Sequence, residues 1–108
     1  MKDKYELRYL PLFYEDLEQK MLYIAQELHN EQAAYDTLEA IETAILERRL
    51  MPEAFERYYS KKERDYPYYR IYVKNYVIFY VVIENEEGDK IMEVRRLLYN
   101  KQNSKRLV

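Results

Sequence analysis

The sequence predicts an α+β fold, an antiparallel sheet of about four strands packed against an N-terminal helical hairpin in the order β-α-α-β-β-β. Three observations predict it. Two adjacent segments between residues 16 and 45 carry apolar residues at spacings of three and four. Stretches at 5–10, 68–73, 76–83 and 90–98 alternate in polarity or run apolar over strand lengths. The chain has 108 residues, 48% of them apolar, with one glycine and three prolines. That is enough for one core and too poor in turn formers for a linker-rich chain, so residues 1–108 read as one domain.

In YELRYL (5–10), Tyr5, Leu7 and Tyr9 face one way while Glu6 and Arg8 face the other. Pro11 interrupts the strand and suits the first turn of a helix. There Leu17, Met21, Ile24 and Leu28 form one stripe, with Glu15, Glu18, Gln19 and Lys20 off it. His29-Asn30 breaks the pattern, and Asn30 is suited to cap a second helix. His29, the sole histidine, reads as a helix-terminus residue whose imidazole meets the dipole. Ala34, Leu38, Ile41 and Ile45 repeat the stripe up to Arg48-Arg49, cations that favour a helix C-terminus. So short a turn makes the helices antiparallel.

Residues 50–67, marked by Pro52 and Pro67, have no clean period and read as a connection with one short strand. Strands 68–73 and 76–83 meet at Lys74-Asn75, where asparagine tolerates the positive φ of a tight turn. The run YVIFYVVI (76–83) is apolar on both faces, as befits a central strand. Gly88 marks the next turn, and the last strand runs from Lys90 to about Leu98. Such short connections require these three strands to pair antiparallel.

The net charge of −2 argues against a general nucleic-acid binder, but the charge is unevenly spread. Residues 1–50 carry 6 Lys and Arg against 11 Asp and Glu, whereas residues 51–108 carry 12 against 9. From Arg95 onward there are five basic residues and no acidic one. A local basic face can still hold phosphate, because salt confines each charge's field to about 8–10 Å. The absence of cysteine excludes disulfides, thiolate metal sites and cysteine nucleophiles. No metal or cofactor set is evident. The start, MKDK, is no signal peptide, and the longest apolar run falls far short of the roughly 20 residues of a membrane helix. A cytoplasmic protein with no membrane partner is expected.

Taken in order, the first strand, EDLEQKMLYIAQEL, AAYDTLEAIETAIL, YRIYVKNYVIFYVV and VRRLLYNKQN resemble the RelE/ParE superfamily of bacterial type II toxins over nearly the whole chain. The most specific parts are Tyr69, Arg70, Tyr76 and Tyr80, and the closing Arg96-x-x-Tyr99-x-Lys101. The resemblance implies a small α+β toxin made beside a cognate antitoxin that wraps and neutralises it. RelE-like members cleave mRNA in the ribosomal A site, while ParE-like members poison DNA gyrase and lack the nuclease residues. The resemblance favours a ribosome-dependent endoribonuclease acting on mRNA without a cofactor. A gyrase inhibitor, and an inactivated binding module of the same fold, are the alternatives. Oligomeric state stays open, a homodimer included.

RNA cleavage at a 2′-hydroxyl requires a base, cations for the pentavalent phosphate and an acid for the leaving oxygen. With His29 remote, the resemblance assigns this work to Arg70, Arg96 and Tyr99. The strand period makes Arg70, Tyr72 and Lys74 co-facial, and puts Met92, Val94, Arg96 and Leu98 on one face. Tyr72, Lys74 and Lys101 would then hold single-stranded RNA by stacking and charge. Against this set, Arg70 has a plainer reading as an ion pair with Glu93 or Glu84. Fourteen tyrosines make any one of them a weak catalytic candidate. Departures from the RelE pattern fall at Val77, where active relatives carry arginine, at Tyr72, where they carry lysine, and at Tyr99, where many carry histidine.

Overall fold

A computed structural model describes residues 5–58 and 66–101. Strand β1 (Tyr5–Tyr9) alternates as its sequence does and runs straight into helix α1 (Pro11–Leu22), with proline in the first turn. Helix α1 passes into one π-helical turn, Tyr23–Glu27, closed by the Leu28 N–H donating to the Tyr23 carbonyl at 3.2 Å. The wider turn carries one extra residue and swings the residues after it off the core stripe. Ile24 is buried, whereas Leu28, expected on the same stripe, is 56% exposed.

His29 then takes a left-handed conformation (φ 49°), and the Asn30 N–H reaches back to the Ile24 carbonyl at 3.2 Å. This resembles a Schellman closure, widened by the π turn. Asn30 caps helix α2 (Glu31–Arg48), its Oδ1 accepting from the Ala33 N–H at 2.9 Å. On α2 the buried face passes through Thr37, while Leu38 is 38% exposed. The Thr37 hydroxyl can be buried because it donates to the Ala33 carbonyl at 2.7 Å.

Strands β2 (Arg57–Tyr58), β3 (Tyr68–Val73), β4 (Tyr76–Glu84) and β5 (Lys90–Tyr99) complete the sheet. It has five strands in the order β1-β5-β4-β3-β2. β2, β3, β4 and β5 pair antiparallel with their neighbours, but β1 lies parallel to β5. The α+β class is as expected, and the short strand expected in the 50–67 connection is β2, the fifth strand. The expectation of an antiparallel sheet is corrected at one edge, where β1 runs parallel. β1 enters α1 after a single residue, so no hairpin partner is at hand, and it adds to the edge left free by the last strand. β4 is central, as its two-sided apolar run requires.

Alternation sorts the sheet into two cores. Tyr69, Ile71, Val73, Ile78, Tyr80 and Met92 face the hairpin, packing with Phe13, Ile24, Ile41 and Ile45. Tyr68, Val77, Phe79, Val81 and Leu98 form a second cluster on the opposite face, under Tyr58 and Tyr66. The C-terminus of α2 is fastened to the sheet by Arg48, whose Nη1 donates to the Arg70 carbonyl and the Tyr80 hydroxyl, both at 3.0 Å. That hydroxyl donates onward to the Pro52 carbonyl at 2.6 Å. In the β3–β4 turn the positive φ (51°) falls on Lys74, not on Asn75 as expected. No described helix is long and apolar enough to cross a membrane.

Candidate functional site

The residues singled out by the sequence fall into two groups. Arg70 and Tyr72 stand on the sheet face away from the hairpin, because Tyr69, Ile71 and Val73 point into the helix-side core. The register sets Arg70 opposite Phe79, and Phe79 opposite Arg96, so the two arginines flank Phe79 across three strands. The β4–β5 pairing then slips: Phe79 pairs with Arg96 and Tyr80 with Val94, leaving Arg95 as the extra residue of a β-bulge. The bulge corrects the expectation that Met92, Val94, Arg96 and Leu98 share a face. Met92 and Val94 lie in the helix-side core and Leu98 in the opposite cluster.

The guanidinium of Arg96 is held by a carboxylate. β1 ends at Tyr9, opposite Val94, so beyond that point the edge of β5 has lost its strand partner, and α1 lies against it. Asp16 of α1 fills the gap: its Oδ2 accepts from the Leu97 N–H at 3.0 Å. Arg96 closes a fork on the same carboxylate, Nε to Oδ2 at 2.8 Å and Nη2 to Oδ1 at 3.0 Å. The side chains of Arg96 and Asp16 are 17% and 8% exposed.

Arg70 is more open, with 27% of its side chain exposed. Its guanidinium lies 4.6 Å from the Tyr58 ring centroid and 5.8 Å from that of Tyr72, and 3.7 Å from Glu56. The ion-pair reading of Arg70 thus finds its carboxylate in Glu56. Glu93 is taken by Arg8 at 3.0 Å and Arg95 at 2.9 Å. Val77 is buried in the cluster on the Arg70 face.

Lys74, Tyr99 and Lys101 gather elsewhere, at the β3–β4 turn. The Asn100 N–H donates to the Asn75 carbonyl at 2.7 Å, tying the end of β5 to that turn. Tyr99 meets Tyr76 edge-on, with centroids 5.9 Å apart and rings at 66°. Beside them is a cleft of about 570 Å³ lined by Gln19, Lys20, Tyr23, Ile24, Leu28, Asn75, Tyr76 and Tyr99. Lys20, expected off the stripe, is half-buried, and Asp16 one turn earlier is buried. Burial pulls the Lys20 ammonium below the ordinary lysine range, against the opposing pull of Asp16. Burial likewise raises the Tyr76 hydroxyl.

Asp16, Lys20 and Tyr23 were not legible as site residues, and Tyr76 was marked only as part of the family pattern. A signal was present in the spacing Phe13, Asp16, Lys20, Ile24, which continues the core stripe through two charged residues. Charged residues on an apolar stripe have partners or line a cavity. His29 sits exposed in the turn between the helices, far along the chain from the strands that carry the arginines.

A family model described as the ParE toxin of the type II toxin-antitoxin system, parDE, matches residues 7–104. No curated protein matches the chain significantly. The match runs from β1 through β5 and spans both the Arg70–Phe79–Arg96 row and the cleft at the hairpin turn. The chain belongs to the ParE toxin family of the RelE/ParE superfamily, the toxins of type II toxin–antitoxin modules, and has a cognate antitoxin as its implied partner.

Proposed function

We propose that this toxin acts by binding a target, DNA gyrase, and not by cutting mRNA. One observation carries the reading: the best candidate for a phosphate-binding cation, Arg96, is committed to Asp16 through a two-pronged hydrogen bond in a poorly exposed site. A cation so neutralised adds little field at a scissile phosphate. Tyr99, the candidate acid, lies with Tyr76 by the cleft, and Val77 contributes an apolar side chain where active RelE-like relatives carry arginine. Membership of the ParE family supports the same choice.

A second reading is favoured by the register that places Arg70 and Arg96 on either side of Phe79. In it Arg70 and Arg96 hold phosphate, Tyr99 serves as acid, and Tyr72, Lys74 and Lys101 hold mRNA on the ribosome. The purified protein added to a gyrase supercoiling reaction separates the two. The binding reading expects supercoiling to stop, and to stop equally with the Tyr99→Phe variant, whose ring is kept. Normal supercoiling at toxin concentrations that arrest translation would reject it.

A further inference from the structure

We propose that the cleft at the hairpin turn receives an acidic residue of the cognate antitoxin, its carboxylate on Lys20 and a neighbouring apolar side chain against Tyr23, Ile24, Leu28 and Tyr76. The identity of the partner rests on family membership, whereas the chemistry of the pocket rests on its walls. At about 570 Å³ it is in the size range of small-ligand and side-chain pockets. Its lining contains one ammonium, the amides of Gln19 and Asn75, three tyrosines and two aliphatic side chains, and no carboxylate. Among the described residues none forms an ion pair with Lys20, while its charged neighbours Arg96 and Asp16 are satisfied by each other. The charge left facing the cleft is therefore positive, in the more acidic half of the chain. Burial disfavours that charge until an anion arrives, which is what makes a carboxylate a fitting occupant.

The same walls favour a peptide over a nucleic acid. Tyr76 and Tyr99 pack edge to face, so they offer no parallel plates between which a base could stack. Glu15, Glu18, Glu27 and Glu31 stand exposed on the hairpin nearby, so a polyphosphate chain leaving the cleft would run along like charge. A single carboxylate carries only one charge into that field, and apolar groups flanking it can seat against the tyrosines and aliphatic side chains of the cleft.

Amide chemical shifts of the full chain, followed while a blocked Leu-Glu-Leu-Phe peptide is titrated in, test the proposal. The expected result is a set of shifts centred on Lys20, Tyr23, Asn75 and Tyr99. Replacing the peptide's glutamate by glutamine should weaken binding about tenfold, the effect of one charge-assisted contact. In the Lys20→Met protein, which removes a half-buried charge and keeps the stem's bulk, the two peptides should bind alike. Shifts outside the cleft, equal affinities for the two peptides, or a response to oligouridylate but not to peptide would overturn it. Growth arrest on expression is scored separately. A toxin that arrests growth but ignores the peptide defeats the pocket alone, and a chain that binds the peptide without arresting growth supports the pocket and defeats the toxic activity.

Discussion

Removing the Arg96 guanidinium would leave the Asp16 carboxylate buried, with the Leu97 N–H as its remaining backbone partner. Breaking a buried pair from one side costs about 3–5 kcal/mol, more than a surface cation is worth. Urea unfolding of Arg96→Ala should therefore show a loss of that order, and Arg70→Ala, with Glu56 largely exposed, a loss below about 1 kcal/mol. Equal, small losses in both would mean that Arg96 is not a structural clamp. The co-facial placement of Arg70 and Tyr72 was legible because a strand's period is two and β3 is regular. The surroundings of Arg96 were not, since its partner lies 80 residues away and the bulge at Arg95 leaves no local mark in the sequence.

At the scale of elements, both helices, the Asn30 cap and the four longer strands could be located from periodicity and turn chemistry. The departures cluster where an element changes pitch. The π turn at 23–27 moves Leu28 into solvent, because one inserted residue rotates a helix face by about 100°. The joint beyond that turn holds His29 at φ 49°, a conformation that costs a residue with a Cβ about 1–2 kcal/mol. His29→Gly should raise unfolding stability by about 0.5–1 kcal/mol once glycine's greater unfolded entropy is subtracted. A drop in thermal midpoint for that variant would contradict the helix-joint geometry. Lys74, at φ 51°, holds the hairpin-turn conformation that propensity assigns to Asn75, because asparagine is the commoner residue there.

Over the whole molecule, the α+β class and central β4 were legible in composition and pattern. The parallel β1–β5 edge was not, because nothing local to Tyr5–Tyr9 encodes a partner at the other end of the chain. The seating of α2 and of the segment after it on the sheet is locked by polar groups whose titration can be measured. Burial pushes the Tyr80 hydroxyl up to about 12, against 10.0 for an unburied tyrosine. A pKa raised in the folded state means that the native protein keeps its proton while the unfolded chain releases it. Stability should hold below pH 10 and fall by roughly 2–3 kcal/mol toward pH 12 from this group. Tyr80→Phe should be less stable at neutral pH, having lost the bonds to Arg48 and Pro52, yet show a shallower alkaline decline. On the acid side Glu53 is held below its ordinary range chiefly by Lys90, at 2.8 Å. Its contribution is therefore present above about pH 4.5 and is lost as pH falls through the lowered value. The claim that this molecule binds and does not cut is tested most directly by mapping mRNA 5′ ends in a translating extract supplied with the purified protein. Messages with unchanged ends are predicted; new codon-phased ends that vanish with Arg96→Lys or Tyr99→Phe would contradict it.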